Sequence, residues 1–202
     1  MREVLVQHKT AIASSEILKT LSLKPNAYIL VSAHREENID IEENFISLMT
    51  AINAIAERYQ LPVIYSTHPR SLKFIEQRKF TFHPLVRNLK PFGFLDYNKL
   101  QMNAYCVLSD SGTLSEESAM LGFAGILLRT STERPEVLDT GLAQLAATPE
   151  LFAEMLEALY RSDTRARPTA NPFGDGRAAK RIARILDRVL NGREARVKRV
   201  TA

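Results

Sequence analysis

Cysteine is almost absent: Cys106 stands alone in 202 residues, which excludes a disulfide scaffold and any cysteine-based metal site. It lies in the apolar run Tyr105–Ser109, where a buried thiol is expected, and a reducing compartment, the cytoplasm, fits that role. No stretch is long or apolar enough to span a bilayer, and Met1–Thr10 is polar with no signal-peptide core, so no membrane partner is expected. The familiar cofactor signatures are missing too. There is no Gly-x-Gly-x-x-Gly after a strand and no Walker lysine motif, which excludes the usual dehydrogenases and P-loop NTPases. No histidine pair sits at helix spacing with a carboxylate for zinc, and there is no Gly-x-Ser-x-Gly elbow, so neither a metal nor a cofactor is expected. Internal repeats and low-complexity segments are also absent.

What remains is a chain that is 45% hydrophobic and 25% charged, the composition of a globular protein with room for a sizeable core. One domain over residues 1–190 is expected, followed by a frayed basic tail, 191–202. The net charge of +4 comes from a crowd of basic residues at the C-terminal end, among them Arg177, Lys180, Arg181, Arg184, Arg188, Arg193 and Arg196. Without interleaved aromatics such a face is a solvated one, and no nucleic-acid partner is expected.

Continuous apolar runs at Tyr28–Ala33, Val63–Thr67 and Gly125–Leu128 join the Cys106 run as strands buried on both faces. Leu85–Leu89 is a weaker strand, and residues 141–147 offer a last short one. Between them lie helical patterns. Ile12, Ile17, Leu18 and Leu21 suit a short helix entered through Ser14 or Ser15. Phe45, Leu48, Met49, Ile52 and Ala56 form one stripe at the 3.6-residue period. Ser71–Lys79 is a short basic helix, Lys90–Phe94 an aromatic loop, and a further helix follows Asp96-Tyr97 through Leu100 to Ala104. A helix after Thr113 stops at Gly122 as a C′ glycine. Pro135-Glu136 opens another helix, 149–160 forms one more, Asn171–Gly176 is a turn cluster, and Ile182, Ile185, Leu186, Val189 and Leu190 stripe the last helix. Strand and helix alternating with short connections predict an α/β fold, a Rossmann-like parallel sheet with helices on both faces.

In such a sheet, ligands bind outside the carboxyl ends of the strands. Each strand here ends in donors for an anion: His34 and Arg35, His68 and Arg70, Ser111 to Thr113, then Arg129 and Arg134. The stretch Asp110-Ser111-Gly112-Thr113-Leu114-Ser115-Glu116-Glu117 reads as strand end, tight turn and helix start, where outward N–H groups and a glycine admit a phosphate. Glu117 follows Thr113 by four residues and shares its helix face, suited to accept hydrogen bonds from hydroxyls such as a ribose diol. Taken one at a time, these residues have plainer roles: Ser111 or Thr113 as an N-cap, the glutamates as partners of the helix dipole, each histidine as a hydrogen-bonded loop residue, Tyr97 as core. Their convergence on one edge favours a diphosphate.

The motifs Ser32-Ala33-His34-Arg35-Glu36-Glu37-Asn38, Ser66-Thr67-His68-Pro69-Arg70, Asp110 to Glu117, Thr132-Glu133-Arg134-Pro135-Glu136 and Asn171 to Gly176 together resemble the UDP-N-acetylglucosamine 2-epimerases over about Arg2 to Leu190. The resemblance implies the C-terminal half of a glycosyltransferase-B type fold, a UDP-binding domain. Thr113 and the segment Leu89–Leu100 look most like the branch that makes N-acetyl-L-fucosamine nucleotides for capsule or O-antigen; the better-known branch has a second glycine where Thr113 stands. It further implies that Ser111, Gly112 and Thr113 hold the diphosphate, Glu117 the ribose hydroxyls, Arg134 and His34 face the phosphates and glycosidic oxygen with Arg35 and His68 on the same edge, and Tyr97 lies near the uracil. His34 is the catalytic candidate. The implied reaction removes the C2 proton, expels UDP to give a 2-acetamidoglycal, and re-adds UDP with the opposite C2 configuration. In that family the acids serving C2 come from the N-terminal domain, so the partners expected are a UDP-sugar and that missing domain, and the chain alone is expected to bind UDP weakly without epimerising. The oligomeric state stays open, a homodimer included. Two other readings stand beside it: a non-catalytic nucleotide-binding or partner-binding domain, and half of a glycosyltransferase.

Overall fold

The computed structural model describes residues 1–129, 143–145 and 177–190. Six strands, β1 (Ile29–Ser32), β2 (Val63–Ser66), β3 (Val86–Leu89), β4 (Cys106–Ser109), β5 (Gly125–Leu127) and β6 (Ala143–Leu145), pair in parallel in the order β3-β2-β1-β4-β5-β6. The runs form strands because both faces of the sheet are covered, so apolar side chains are needed at successive positions and not at alternate ones. Ile29, Val31, Val63, Tyr65, Cys106, Leu108 and Ile126 pack on one side against Phe45, Met49 and Ile52 of α5 (Glu42–Tyr59). Leu30, Ile64, Val107 and Leu127 pack on the other against Ile17 of α3 (Ile17–Thr20), Leu100 of α7 (Phe94–Asn103) and Leu114 of α8 (Leu114–Leu121). Each fully buried aliphatic side chain contributes about 1.5–3 kcal/mol. The expected parallel α/β architecture is what the structure shows.

Several boundaries differ from the sequence reading for physical reasons. Polar Met1–Thr10 carries one short helix, α1 (Arg2–Gln7), and the start of a second, α2 (Lys9–Ser14), which bury Leu5 and Ile12 respectively. Ser15 follows α2, accepts the Ile17 N–H at 3.3 Å and donates to Asp96 at 2.6 Å, tying the N-terminal segment to α7. Helix α7 starts at Phe94, so Tyr97 lies in its first turn and the aromatic loop is shorter than expected. A one-turn helix, α4 (Glu36–Ile39), follows the His34-Arg35 pair directly, and α6 (Pro69–Gln77) begins two residues before the expected start, with Pro69 at its first position. Gly122 ends α8 at φ 74°, donating to the Ser118 carbonyl at 2.8 Å. The expected C-terminal helix runs over Ala178–Leu190, with Ile182, Ile185 and Leu186 exposed. The expected helix start at Pro135, the 149–160 helix, the Asn171–Gly176 turn and the 191–202 tail lie outside the described residues.

This strand order reverses between β1 and β4, and in a doubly wound sheet the crevice above that reversal is where ligands bind.

Candidate functional site

The reversal point brings the ends of β1 and β4 together: Ser32 pairs with Ser109, so His34-Arg35 and Asp110 to Thr113 leave the sheet side by side. The turn after β4 is held from within. The Ser111 N–H donates to Ser109 Oγ at 3.1 Å, the Thr113 N–H donates to Ser111 Oγ at 3.3 Å, and the Ser111 and Thr113 hydroxyls meet at 2.9 Å. Thr113 takes the N-cap position without a side-chain capping bond, and the Leu114 N–H reaches the Ser111 carbonyl. The first N–H groups of a helix have no intrahelical acceptor and carry partial positive charge, so this start is suited to an anion. A Cβ placed on Gly112 would have Arg129 Nη1 as its nearest atom at 3.8 Å, so the guanidinium that follows β5 flanks the turn.

Asp110 is wholly buried between these loops. Its Oδ2 accepts the backbone N–H groups of His34 and Arg35, both at 2.8 Å, and Asn38 Nδ2 at 3.1 Å. Asn38 Nδ2 also donates to the Leu128 carbonyl at 3.2 Å, which joins the ends of β1, β4 and β5 through one carboxylate and one amide. Asp110 Oδ1 has no aligned hydrogen bond; His34 Nδ1 lies 3.3 Å from it.

On the other side of the turn, Glu117 accepts Gln101 Nε2 at 2.7 Å. Burial of its carboxyl raises the Glu117 pKa, and hydrogen bonds from Gln101 and Thr113 offset part of that rise. Tyr97 packs against the core beneath, with its phenol near the Ser32 and Ser109 side chains at the reversal point. Burial pushes that phenol well above its ordinary range, opposed by the serines and reinforced by the Glu117 and Asp110 charges, so it stays a neutral donor.

The remaining site residues fall in different places. The His68 ring lies 5.6 Å from the His34 ring, exposed, with its Nδ1 accepting the Arg70 N–H at 3.2 Å. Arg35 pairs with Glu37 at 3.6 Å. Arg70 is drawn away to α4, donating from Nη1 to Glu36 at 2.9 Å and from Nε and Nη2 to Asp40, so it pins that helix and does not add a cation to the edge. Arg134 lies outside the described residues. Gln101, Asn38 and the anchoring role of Asp110 escaped the sequence reading, since nothing in their spacing announces contacts made across 16 to 90 residues of chain. Among the described residues no group of three or more histidine, cysteine or carboxylate side chains is placed to hold a metal ion, and no helix is long and apolar enough to cross a membrane.

Comparison with known proteins bears directly on this arrangement. The family model for UDP-N-acetylglucosamine 2-epimerase matches residues 1–187. A UDP-N-acetylglucosamine 2-epimerase of Methanococcus maripaludis is 35% identical over 185 residues, covering 88% of this chain and 50% of its own length. One from Methanocaldococcus jannaschii is 33% identical, covering 79% of this chain and 44% of its own length. The crystal structure of M. jannaschii UDP-GlcNAc 2-epimerase in complex with UDP-GlcNAc and UDP superposes with a TM-score of 0.79 at 31% identity, over 90% of this chain and 51% of that one. The structure of the epimerase from Rickettsia bellii gives 0.78 at 31% identity, over 95% and 52%. The chain thus spans about half the length of the relatives it matches and corresponds to their C-terminal domain, one half of a glycosyltransferase-B-like fold. A match over nearly all of its length, on a parallel sheet whose reversal point carries a helix start suited to an anion, places this chain in the UDP-N-acetylglucosamine 2-epimerase family.

Proposed function

We propose that this chain is the UDP-binding half of a non-hydrolysing UDP-N-acetylhexosamine 2-epimerase, a single domain over 1–190, with the groups that act at C2 supplied by another half. Ser111, Gly112 and Thr113 seat the diphosphate, Glu117 takes the ribose hydroxyls, and Tyr97 lies by the uracil. His34 and Arg134 face the phosphates and the glycosidic oxygen, and Arg35 and His68 add donors on the same edge. The reaction moves the C2 proton to a base outside this half, the C2–H electron pair forms the C1–C2 double bond, and the C1–O pair leaves with UDP. Re-addition of UDP with protonation from the opposite face inverts C2. Charge builds on the departing diphosphate as C1–O breaks, so N–H dipoles and cations held in place there lower the barrier. His34 gives a proton or hydrogen bond to the departing oxygen.

The observation that carries this reading is the Gly112 turn: a helix start at the sheet's reversal point, flanked by Arg129, with a half-buried carboxylate one helical turn on. Thr113 and the Leu89–Leu100 segment favour the branch that supplies capsule or O-antigen sugars, which product analysis on a panel of UDP-N-acetylhexosamines tests. Calorimetry with millimolar UDP is expected to show binding, and a silent titration overturns it. Gly112→Ala is expected to fold as the parent does, because its methyl meets nothing closer than 3.8 Å, yet to lose most of the UDP heat by filling the approach to the turn. Turnover of a UDP-N-acetylhexosamine by the purified chain alone would contradict the half-site assignment. Its appearance only on mixing with the N-terminal half of a relative would support it.

A further inference from the structure

We propose that Asp110 is a positioning residue that fixes the tautomer and orientation of His34 and couples its loop to the turn that seats the anion. A carboxylate oxygen accepts and never donates. Oδ2 is filled by two backbone N–H groups and the Asn38 amide, which anchor the His34-Arg35 backbone to the residue that immediately precedes Ser111. Oδ1 is left buried and unaligned, with His34 Nδ1 3.3 Å away, and a small turn of the ring completes that bond. Hydrogen bonds of this kind are commonly loose before a ligand tightens them. An acceptor on that side selects the Nδ1–H form of the neutral imidazole, so Nε2 keeps the lone pair and is the nitrogen that takes up a proton and returns it.

Two of the other three histidines sharpen the contrast. His68 Nδ1 accepts the Arg70 N–H and His83 Nδ1 accepts the Leu85 N–H, each at 3.2 Å, which selects the Nε2–H form in both. His34 is set the opposite way by a residue 76 positions further on. An asparagine at 110 would reverse it. Its single oxygen must stay with the two backbone N–H groups, its amide N–H then faces His34 Nδ1, and the ring proton moves to Nε2.

The value of this setting for catalysis rests on the proposed role of His34 at the departing oxygen, but its test needs no ligand. Long-range 1H–15N spectra of the 202-residue chain at about pH 8.5, above the ordinary imidazole range, report which ring nitrogen carries the proton. Loss of one signal set in His34→Gln assigns it. The expected result is Nδ1–H for His34 and Nε2–H for His68 and His83, with Asp110→Asn moving His34 alone to Nε2–H. An Nε2–H form of His34 in the parent, or an Nδ1–H form retained in Asp110→Asn, overturns the proposal. Should the variant not fold, the parent spectrum decides by itself. Failure of UDP to bind would sink the nucleotide reading and leave the tautomer result standing, so the two fail separately.

Discussion

In its proposed role Glu117 is a residue at which stability and ligand binding pull in opposite directions. Burial lifts its folded-state pKa above the unfolded value of 4.5, more than the Gln101 and Thr113 hydrogen bonds lower it. As pH rises the unfolded chain releases this proton first, so the folded state is at no disadvantage below 4.5 and loses stability as pH climbs through the folded value. Glu117→Gln removes the charge and retains an oxygen for Gln101 Nε2, so it is expected to stabilise the apo chain at neutral pH and flatten that part of its pH–stability curve. In the proposed role ribose hydroxyls donate to the ionised carboxylate, so the same variant is expected to weaken UDP binding about tenfold, ~1.4 kcal/mol. UDP binding by the parent should release a proton where the folded carboxyl is still partly protonated, above the unfolded value, read from heats in buffers of different ionisation enthalpy. A variant that loses stability and keeps its UDP affinity would show Glu117 to be a core residue and no ligand.

At the scale of elements, helix α8 lies with Leu114 over one small residue of the sheet, Gly125. A Cβ on Gly125 of β5 would stand 3.4 Å from Leu114 Cγ and 3.5 Å from Cδ2, ordinary contact but with no room beyond. Gly125→Ala is therefore expected to be tolerated. Gly125→Val, whose methyls reach further toward Leu114, is expected to cost about 1–3 kcal/mol in denaturant unfolding and to weaken UDP binding by lifting the first turn of α8. Equal stability of the two variants would mean that α8 is not seated on β5. The elements that the sequence disclosed are those whose environment repeats along them: strands buried on both faces appear as unbroken apolar runs at Ile29–Val31 and Val63–Tyr65, and α5 appears as the Phe45, Met49, Ile52 stripe. Helices α1 and α4 escaped because one or two turns with a single buried side chain, Leu5 or Ile39, make no period. The site divides similarly. The Ser111–Thr113 turn was legible from local order, whereas the Gln101–Glu117 bond and the hold of Asp110 on the His34 backbone exist only once distant segments meet.

For the molecule as a whole, the position of the site at the sheet's reversal point has a consequence for cooperativity. Asp110 and Asn38 join the ends of β1, β4 and β5, strands with the two core clusters on opposite faces of one continuous sheet. A ligand bound there holds both sides of the reversal together and is not expected to stabilise one loop in isolation. Ligand at tenfold above its dissociation constant adds about 1.4 kcal/mol to the folded state. For a chain of this size that corresponds to a rise in the thermal midpoint of about 3–6 °C. Calorimetric scans with and without UDP are expected to move the main transition upward by that amount without splitting it. Sharpening of only a minor early transition would mean that the ligand orders a local segment, and the reversal point would then not be the seat of the nucleotide.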